Sequence, residues 1–250
     1  GPKEFYVNIA QKSSVQGDIL TSKGTVGLGT EFYSGHMYSI IGVSGSGTSR
    51  RSQFISVMAT EDNTTVTFSN PNVKWSGHAN NTSNVTLDAG ESYVVAQDFE
   101  EMQNGTPSNP TDDDDPNDFN GTKVTSDKPI AVNSGSWCGG GFESLQDIGI
   151  DQLVPTEYVG KQYIVTKGPG TTGSNEKVIM ISTGNGNQVK VYGENAGSLD
   201  SITYYLDDTE YAIFDMEDMY GNGTNIDNEN IFIESTDDIY VFQTLLGSSG

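Results

Sequence analysis

The sequence predicts an all-β protein made of two tandem, related antiparallel β-sandwich-like units. The apolar runs are short and rich in β-branched and aromatic residues, turn residues separate them, and a similar series of segments occurs twice in one order. Because seven short strands cannot bury both faces as one flat sheet, each unit is expected to fold as two sheets packed face to face. A β-propeller-like arrangement, with four strands in each blade, is the alternative.

Each candidate strand is a run rich in Val, Ile, Thr, Tyr or Phe that is bounded by turn residues. The first series is Tyr38–Val43, Phe54–Thr60, Thr65–Ser69, Asn84–Leu87, Tyr93–Ala96, Lys123–Thr125 and Ile130–Ser134. The second series is Gln162–Thr166, Lys177–Thr183, Gln188–Tyr192, Ser201–Leu206, Tyr211–Asp215, Asn230–Glu234 and Ile239–Leu245.

The two series match segment by segment. In the first pair, a strand, a polar turn and a second strand align without a gap. The matching pairs, in chain order, are Val57–Phe68 with Met180–Val191, Val85–Val95 with Thr203–Ile213, and Ser126–Val132 with Ser235–Val241. Since matches in the same order are a stronger signal than one similar hairpin, we predict a tandem repeat.

These matches divide the chain into four parts. Gly1 and Pro2 resemble the remnant of a cleaved tag. Residues 3–136 contain a polar N-terminal segment and the first β unit, residues 137–157 form a packed connection, and residues 158–250 form the second β unit. Apolar side chains in the connection, such as Trp137 and Leu153, favour packing over a flexible Gly-rich linker.

The charge of the chain excludes several classes of partner. Lys and Arg total 12 against 34 Asp and Glu, which gives a formal net charge of −22. Such a surface repels nucleic acid and anionic lipid, so we expect no nucleic-acid partner and no direct membrane insertion. Cys138 is the only cysteine, which excludes an intrachain disulfide.

Acidic residues cluster in two segments at corresponding places of the two units. Neighbouring carboxylates repel one another unless a cation neutralises them, and Ca²⁺ binds carboxylate, amide and carbonyl oxygens. Calcium is therefore the predicted metal, with solvated acidic loops as the alternative. The candidate ligands are Asp112, Asp113, Asp114, Asp115, Asp118, Asp215, Glu217 and Asp218.

Four further residues are candidate ligand contacts because they fall in predicted loops or at strand ends. They are Tyr33, Trp75, His78 and Tyr220. Exposed aromatic rings stack on sugars or insert into a protein partner. Ordinary core packing is the alternative for each of them.

No catalytic motif is present. The sequence has no G-x-S-x-G nucleophile elbow and no P-loop. Carboxylate pairs are so frequent in this chain that they say almost nothing about glycosidase chemistry. We predict that the protein is not an enzyme, and a glycoside hydrolase is a remote alternative.

Several blocks along the chain form a series with a characteristic order: Phe5–Asn8, Leu20–Gly24, Leu28–Tyr33, Thr60–Val66, Gly121–Gly135 and Asp151–Pro155. Together these blocks resemble the IgGFc-binding-protein N-terminal-type domain. The resemblance spans nearly the whole chain, and the order of the blocks is more specific than any one of them.

The resemblance implies an extracellular adhesion or ligand-binding module of a large secreted surface protein, of the kind found in gliding and marine bacteria. The expected partner is a glycan or glycoprotein on another cell or in mucus. The alternative is a structural repeat that self-assembles into an extracellular fibre or surface appendage, with copies of the chain as its partners. No catalytic residues come with the resemblance, and immunoglobulin binding is not inferred from the family name.

Overall fold

The computed structural model describes residues 7–13, 16–35, 53–70, 82–96, 119–142, 145–168, 176–195, 198–216 and 230–245. This part of the chain is all-β, as predicted, with short 3-10 turns at Gly24–Gly27 and Thr156–Tyr158. Its strands are β1 Asn8–Ser13, β2 Gln16–Thr21, β3 Leu28–Tyr33, β4 Gln53–Ala59, β5 Thr64–Ser69, β6 Thr82–Leu87, β7 Ser92–Ala96, β8 Lys123–Phe142, β9 Leu145–Gln152, β10 Gly160–Thr166, β11 Glu176–Ser182, β12 Asn187–Asn195, β13 Ser198–Leu206, β14 Tyr211–Asp215 and β15 Asn230–Leu245. The predicted strand Tyr38–Val43 lies outside the described residues.

The long strand β8 organises the first sheet, which has seven strands in the described part of the chain. One edge of β8 pairs first with β5 and then with β4, and the other edge pairs first with β3 and then with β9. The pairing partners of β8 therefore change along its length, and the sheet curls around one core that contains Val124 and Val132. Pro129 lies between the stretch that pairs with β5 and the stretch that pairs with β4, so its missing N–H removes no bond from either ladder.

The second sheet repeats this strand order with six strands among the described residues. Its long strand β15 pairs with β12 and then with β11 along one edge, while β10 lies on the other edge. Strands β10 to β15 thus hold the places that β3 to β8 hold in the first sheet. Two curled sheets of this kind agree with the predicted sandwich-like units.

Turn hydrogen bonds show which residues of the two sheets correspond. The backbone N–H of Asp88 donates to Glu91 Oε2 at 2.9 Å, and the N–H of Asp207 donates to Glu210 Oε2 at 2.8 Å. Asp88 therefore corresponds to Asp207, whereas the sequence alignment had placed it opposite Leu206. The alignment was wrong by one residue here because it matched a tyrosine in each following strand, while the turn bonds set the register.

The segments outside the two predicted strand series contribute more structure than expected. The polar N-terminal segment forms the hairpin β1–β2 and strand β3, which joins the first sheet. In the predicted connection, β8 continues to Phe142 and β9 pairs with it. Residues 153–159 then join the last strand of the first sheet to β10.

Each sheet encloses its own apolar core. In β4 buried and less buried residues alternate, as expected for a strand with one face inward. The first core contains Phe32, Ile55, Val57, Phe68, Phe119, Val124 and Ile130. The second core contains Val178, Met180, Val189, Val191, Phe214, Ile231 and Ile233.

Candidate functional site

Strand β11 is buried on both faces, and this locates the junction between the two sheets. Val178 and Met180 belong to the core of the second sheet, whereas Ile179 and Ile181 join Tyr33 of β3 in a separate buried cluster. All seven residues of β11 are buried. A continuous apolar run in a strand is typical of burial on both faces, and the run Val178–Ile181 has this form.

A polar network lies at the edge of this junction. The Tyr33 hydroxyl donates to Asp208 Oδ1 at 2.6 Å, and Lys123 Nζ donates to the same hydroxyl at 2.7 Å. Lys123 Nζ also lies 3.1 Å from Glu31 Oε2 and 3.8 Å from Asp208 Oδ2. The ammonium group therefore balances carboxylates from both sheets and ties the first sheet to a turn of the second.

The junction changes the acid–base behaviour of its two buried tyrosines. Burial raises the pKa of Tyr33 far above its ordinary value, and the hydrogen bond to Asp208 and the negative charges of Asp208 and Glu31 raise it further. Burial also raises the pKa of Tyr240, whose hydroxyl donates to the backbone oxygen of Val154 at 2.7 Å. Each phenol is thus held in its neutral form as part of the packing.

A cleft of about 190 Å³ opens beside the junction. Its lining includes four aromatic side chains, Tyr158, Tyr163, Tyr240 and Phe242, and the charged pair Lys23 and Asp151. The Lys23 Nζ to Asp151 Oδ1 distance is 2.9 Å, and Lys23 also donates to the backbone oxygen of Gln152. The walls come from the N-terminal segment, the end of β9, the connection at residues 153–159, and strands β10 and β15.

Internal hydrogen bonds fix the orientation of two of these rings. The Tyr163 hydroxyl donates to the backbone oxygen of Ile239 at 2.6 Å and accepts from the N–H of Gly160 at 2.8 Å. Tyr240 and Phe242 are stacked, with ring planes 2° apart. Tyr158 is the exposed aromatic of the set, with 54% of its surface accessible. The cleft therefore has fixed apolar walls, one exposed aromatic ring, which is that of Tyr158, and a charged rim.

Most of the predicted site residues lie outside the described residues. This holds for the aromatic candidates Trp75, His78 and Tyr220, and for the acidic candidates Asp112, Asp113, Asp114, Asp115, Asp118, Glu217 and Asp218. Asp215 is the last residue of β14, and its backbone is paired with that of Lys177. Within the described ranges no group of three or more His, Cys, Asp and Glu residues is placed to hold a metal ion.

Tyr33 is the candidate contact that the structure corrects. Its side chain has 0% exposure, so it is not a surface aromatic available to a ligand. The sequence placed it in a loop or at a strand end, and it is the last residue of β3. The second sheet covers this end, and the packing alternative therefore describes Tyr33.

Sequence reasoning missed the cleft because its walls are far apart in the chain. Lys23 and Asp151 are 128 positions apart, and neither stands in a recognised binding motif. One signal was present, since Asp151–Pro155 is among the blocks that carry the family resemblance. Its residues supply one rim and part of the floor of the cleft.

Two curled β-sheets that share an apolar junction, with an aromatic cleft beside it, define a protein of the β-sandwich-like class. Residues 18–250 match the family model described as "IgGFc binding protein", and the chain belongs to this family. Membership places the chain among extracellular binding modules and indicates a protein or glycoprotein partner. No curated protein and no solved structure matches the chain.

None of the helical turns in the described residues is long and apolar enough to cross a membrane.

Proposed function

We propose that this chain is an adhesion module of a larger secreted cell-surface protein, and that it binds a glycan or the glycan-bearing part of a glycoprotein through the junction cleft. The observation that carries the proposal is the set of fixed aromatic walls around a free, half-exposed ring, Tyr158. Sugar rings stack their apolar faces on such rings, and the polar rim supplies hydrogen-bond partners for hydroxyl groups. The surface setting in gliding or marine bacteria belongs to this proposal.

The position of the cleft supports binding over catalysis. Its walls are held by the junction and by the bonds of Tyr163 and Tyr240, so little ordering is needed when a ligand enters. A glycoside hydrolase of the usual kind needs two carboxyl groups on either side of the scissile bond. The lining residues of the cleft include one carboxylate, Asp151, which is already paired with Lys23.

Replacing Tyr158 by Ala is expected to weaken ligand binding by about tenfold or more, because aromatic anchors contribute most of the free energy of binding at such sites. The measurement has two stages. A glycan array and immobilised mucin and immunoglobulin Fc first identify a ligand, and biolayer interferometry then gives Kd for wild type and variant. Tyr205→Ala is the matched control, because Tyr205 is an exposed tyrosine of β13 that is not among the residues lining the cleft.

Two results would contradict the cleft as the binding site. The first is an unchanged Kd for Tyr158→Ala with a ligand that the wild type binds. The second is an equal loss for Tyr158→Ala and Tyr205→Ala. Silence of the wild-type protein across glycans, mucin and Fc would remove the glycan-binding proposal itself.

We also propose that the two acidic segments bind Ca²⁺ and that the module is stabilised by it. A cation at about a hundred times its Kd adds about 2.7 kcal/mol to the free energy of unfolding, which corresponds to a rise in Tm of about 5–10 °C for a chain of this size. The rise should appear at millimolar CaCl₂, reverse with EDTA, and be smaller with MgCl₂ at equal ionic strength.

Calorimetry with a matched pair of variants locates the effect. The double variant Asp112→Asn with Asp114→Asn should lose much of the rise, whereas Asp200→Asn, at an exposed carboxylate of β13, should keep it. A Tm that does not move with calcium, or that moves equally in both variants, would remove the calcium proposal.

A further inference from the structure

The shared topology of the two sheets shows which residue of the second sheet corresponds to Tyr33. In the first sheet, Gly29 pairs with Ile130 and, after a register shift, Tyr33 pairs with Lys123. In the second sheet, Gly160 pairs with Ile239 and, after the same kind of shift, Ile164 pairs with Phe232. Counting along β3 and β10 from the two glycines places Ile164 at the position of Tyr33.

The same comparison identifies the residues of the first sheet that correspond to the surface of the second sheet covered by Tyr33. Strands β4 and β11 can be aligned by their last residues. Ala59 pairs with Ile130 of β8, and Ser182 pairs with Ile239, the corresponding residue of β15. Met58 therefore corresponds to Ile181. In the next hairpin, the equivalence of Asp88 with Asp207 places Val94 opposite Ile213.

Within the chain, the end of β3 in the first sheet packs on the outer face of β11 and β14 in the second. Tyr33 and Ile181 are buried in one cluster, and Ile213 packs against it. A Cβ atom on Gly35, just beyond β3, would lie 2.5 Å from Ile181 Cδ1, which shows how closely the two surfaces meet. We call the end of β3 or β10 the insertion end, and the outer face of β4–β7 or β11–β14 the receiving face.

In the part of the chain that the structure describes, one insertion end and one receiving face stay uncovered. Ile164 at the insertion end of the second sheet is 76% exposed, and Met58 and Val94 on the receiving face of the first sheet are 45% and 56% exposed. Met58 pairs with Ser92 and Val94 pairs with Ser56, so the two apolar side chains are diagonal neighbours on one face. Their counterparts at the internal junction are Tyr33 and Ile181, which are buried, and Ile213, which is partly buried against them.

From this pattern we infer that a second copy of the chain docks head to tail, with Ile164 of one copy against Met58 and Val94 of the next. The contact joins two different surfaces, so it leaves a free surface at each end and allows a chain of copies to grow. It involves residues away from the junction cleft, and it stands or falls independently of the glycan-binding proposal.

The residues that differ between the two junctions make the contact between copies weaker than the internal one. Lys123, which bridges both sheets internally, corresponds to Phe232, and its partner Asp208 corresponds to Ala89. Gly121, which touches the Thr209 backbone, corresponds to Asn230, whose Cβ keeps the surfaces farther apart. Association is therefore reversible and depends on concentration.

Salt should strengthen this association. Each copy carries a formal charge of −22, so copies repel one another at low ionic strength, and added salt screens the repulsion while leaving an apolar contact in place. A contact that depended mainly on ion pairs would respond in the opposite direction.

Sedimentation equilibrium of the full chain tests the inference, at about 10 µM to 1 mM, the range in which a weak contact is populated. We expect the wild-type weight-average mass to rise above the monomer with concentration and with NaCl. Met58→Asp, Val94→Asp and Ile164→Asp should each weaken association by about tenfold or more, because each places a charge in an apolar contact. Ile19→Asp, at an exposed isoleucine of the hairpin β1–β2, is the matched control and should associate like the wild type.

The most decisive measurement mixes two variants that each associate weakly with copies of themselves. Met58→Asp keeps its insertion end and Ile164→Asp keeps its receiving face, so an equimolar mixture should form dimers and nothing larger. A mixture that stays monomeric, a wild type that stays monomeric at 1 mM and high salt, or an Ile164→Asp variant that associates like the wild type would each overturn the inference. Circular dichroism melting of every variant verifies that loss of association is not loss of folding.

Discussion

Replacing Gly121 by Ala is expected to lower the free energy of unfolding by roughly 2–5 kcal/mol, one of the two largest effects predicted for this chain. Two costs add at this position. Gly121 has φ +79°, a conformation that disfavours any Cβ, and a Cβ built there would lie 1.9 Å from the backbone oxygen of Thr209. That oxygen belongs to a turn of the second sheet and cannot move aside as a flexible side chain does.

Gly90→Ala separates the two costs. Gly90 has φ +84°, but no other group lies within 4 Å of a Cβ built on it. This variant should lose about 1–2 kcal/mol from backbone strain alone. Its counterpart in the second sheet, Thr209, already holds a side chain at φ 72°, which shows that the fold accommodates such strain in this turn.

Urea denaturation of both variants gives the comparison, and calorimetry shows whether the junction is the part that fails. We expect Gly121→Ala to be the less stable variant and to broaden or split the thermal transition, because the two sheets lose their close contact while each keeps its own core. Equal losses in the two variants would mean that the Thr209 contact contributes nothing.

Stability should fall steeply above pH 10, and the two buried tyrosines of the junction should account for much of the fall. Folding raises the pKa of Tyr33 and of Tyr240 above the ordinary value of about 10 that a tyrosine has in the unfolded chain. The stabilisation is therefore complete below about pH 10 and is lost as the pH rises, because the unfolded chain then releases protons that the folded chain retains. Each tyrosine contributes a slope of about 1.4 kcal/mol per pH unit.

The quantity to measure is the slope of the free energy of unfolding against pH, rather than the free energy of unfolding at one pH. Tyr33→Phe lowers stability at neutral pH because Asp208 and Lys123 lose a hydrogen-bond partner, yet it should flatten the decline between pH 10 and 11.5. Tyr240→Phe should do the same, and Tyr205→Phe, at an exposed tyrosine, is the control. Urea denaturation at half-unit pH steps gives the slopes, and a decline equally steep in Tyr33→Phe and wild type would contradict the role of Tyr33.

The strands of the two predicted series could be predicted from local sequence because each is a short run with a clear boundary. In β4 the alternation of inward and outward residues also predicts which side chains enter the core. The N-terminal hairpin, β3 and β9 were missed because polar residues and single glycines interrupt their apolar residues, and these strands are held in place by pairing with a neighbour. The order of the resembling blocks correctly indicated the family.

The candidate site depended on information that no local pattern carries. Tyr33 was expected in a loop or at a strand end, and it is the last residue of β3, a strand that was not predicted. The sequence could not show that Asp208, 175 positions later, would cover it. The cleft likewise depends on how the connection at residues 153–159 turns between the sheets. Its free aromatic ring, Tyr158, lies in that connection.

The sequence alone determined that this protein is all-β, that its strands fall into two similar series, that it is strongly acidic, and that it belongs to a family of extracellular binding modules. These properties follow from the spacing, composition and order of residues, which act over short stretches of chain. Only the tertiary structure decided that β11 is buried on both faces, that Tyr33 is interior, and that Met58, Val94 and Ile164 remain exposed. The outer face of a strand becomes core only when another sheet docks on it, and that contact joins residues more than a hundred positions apart.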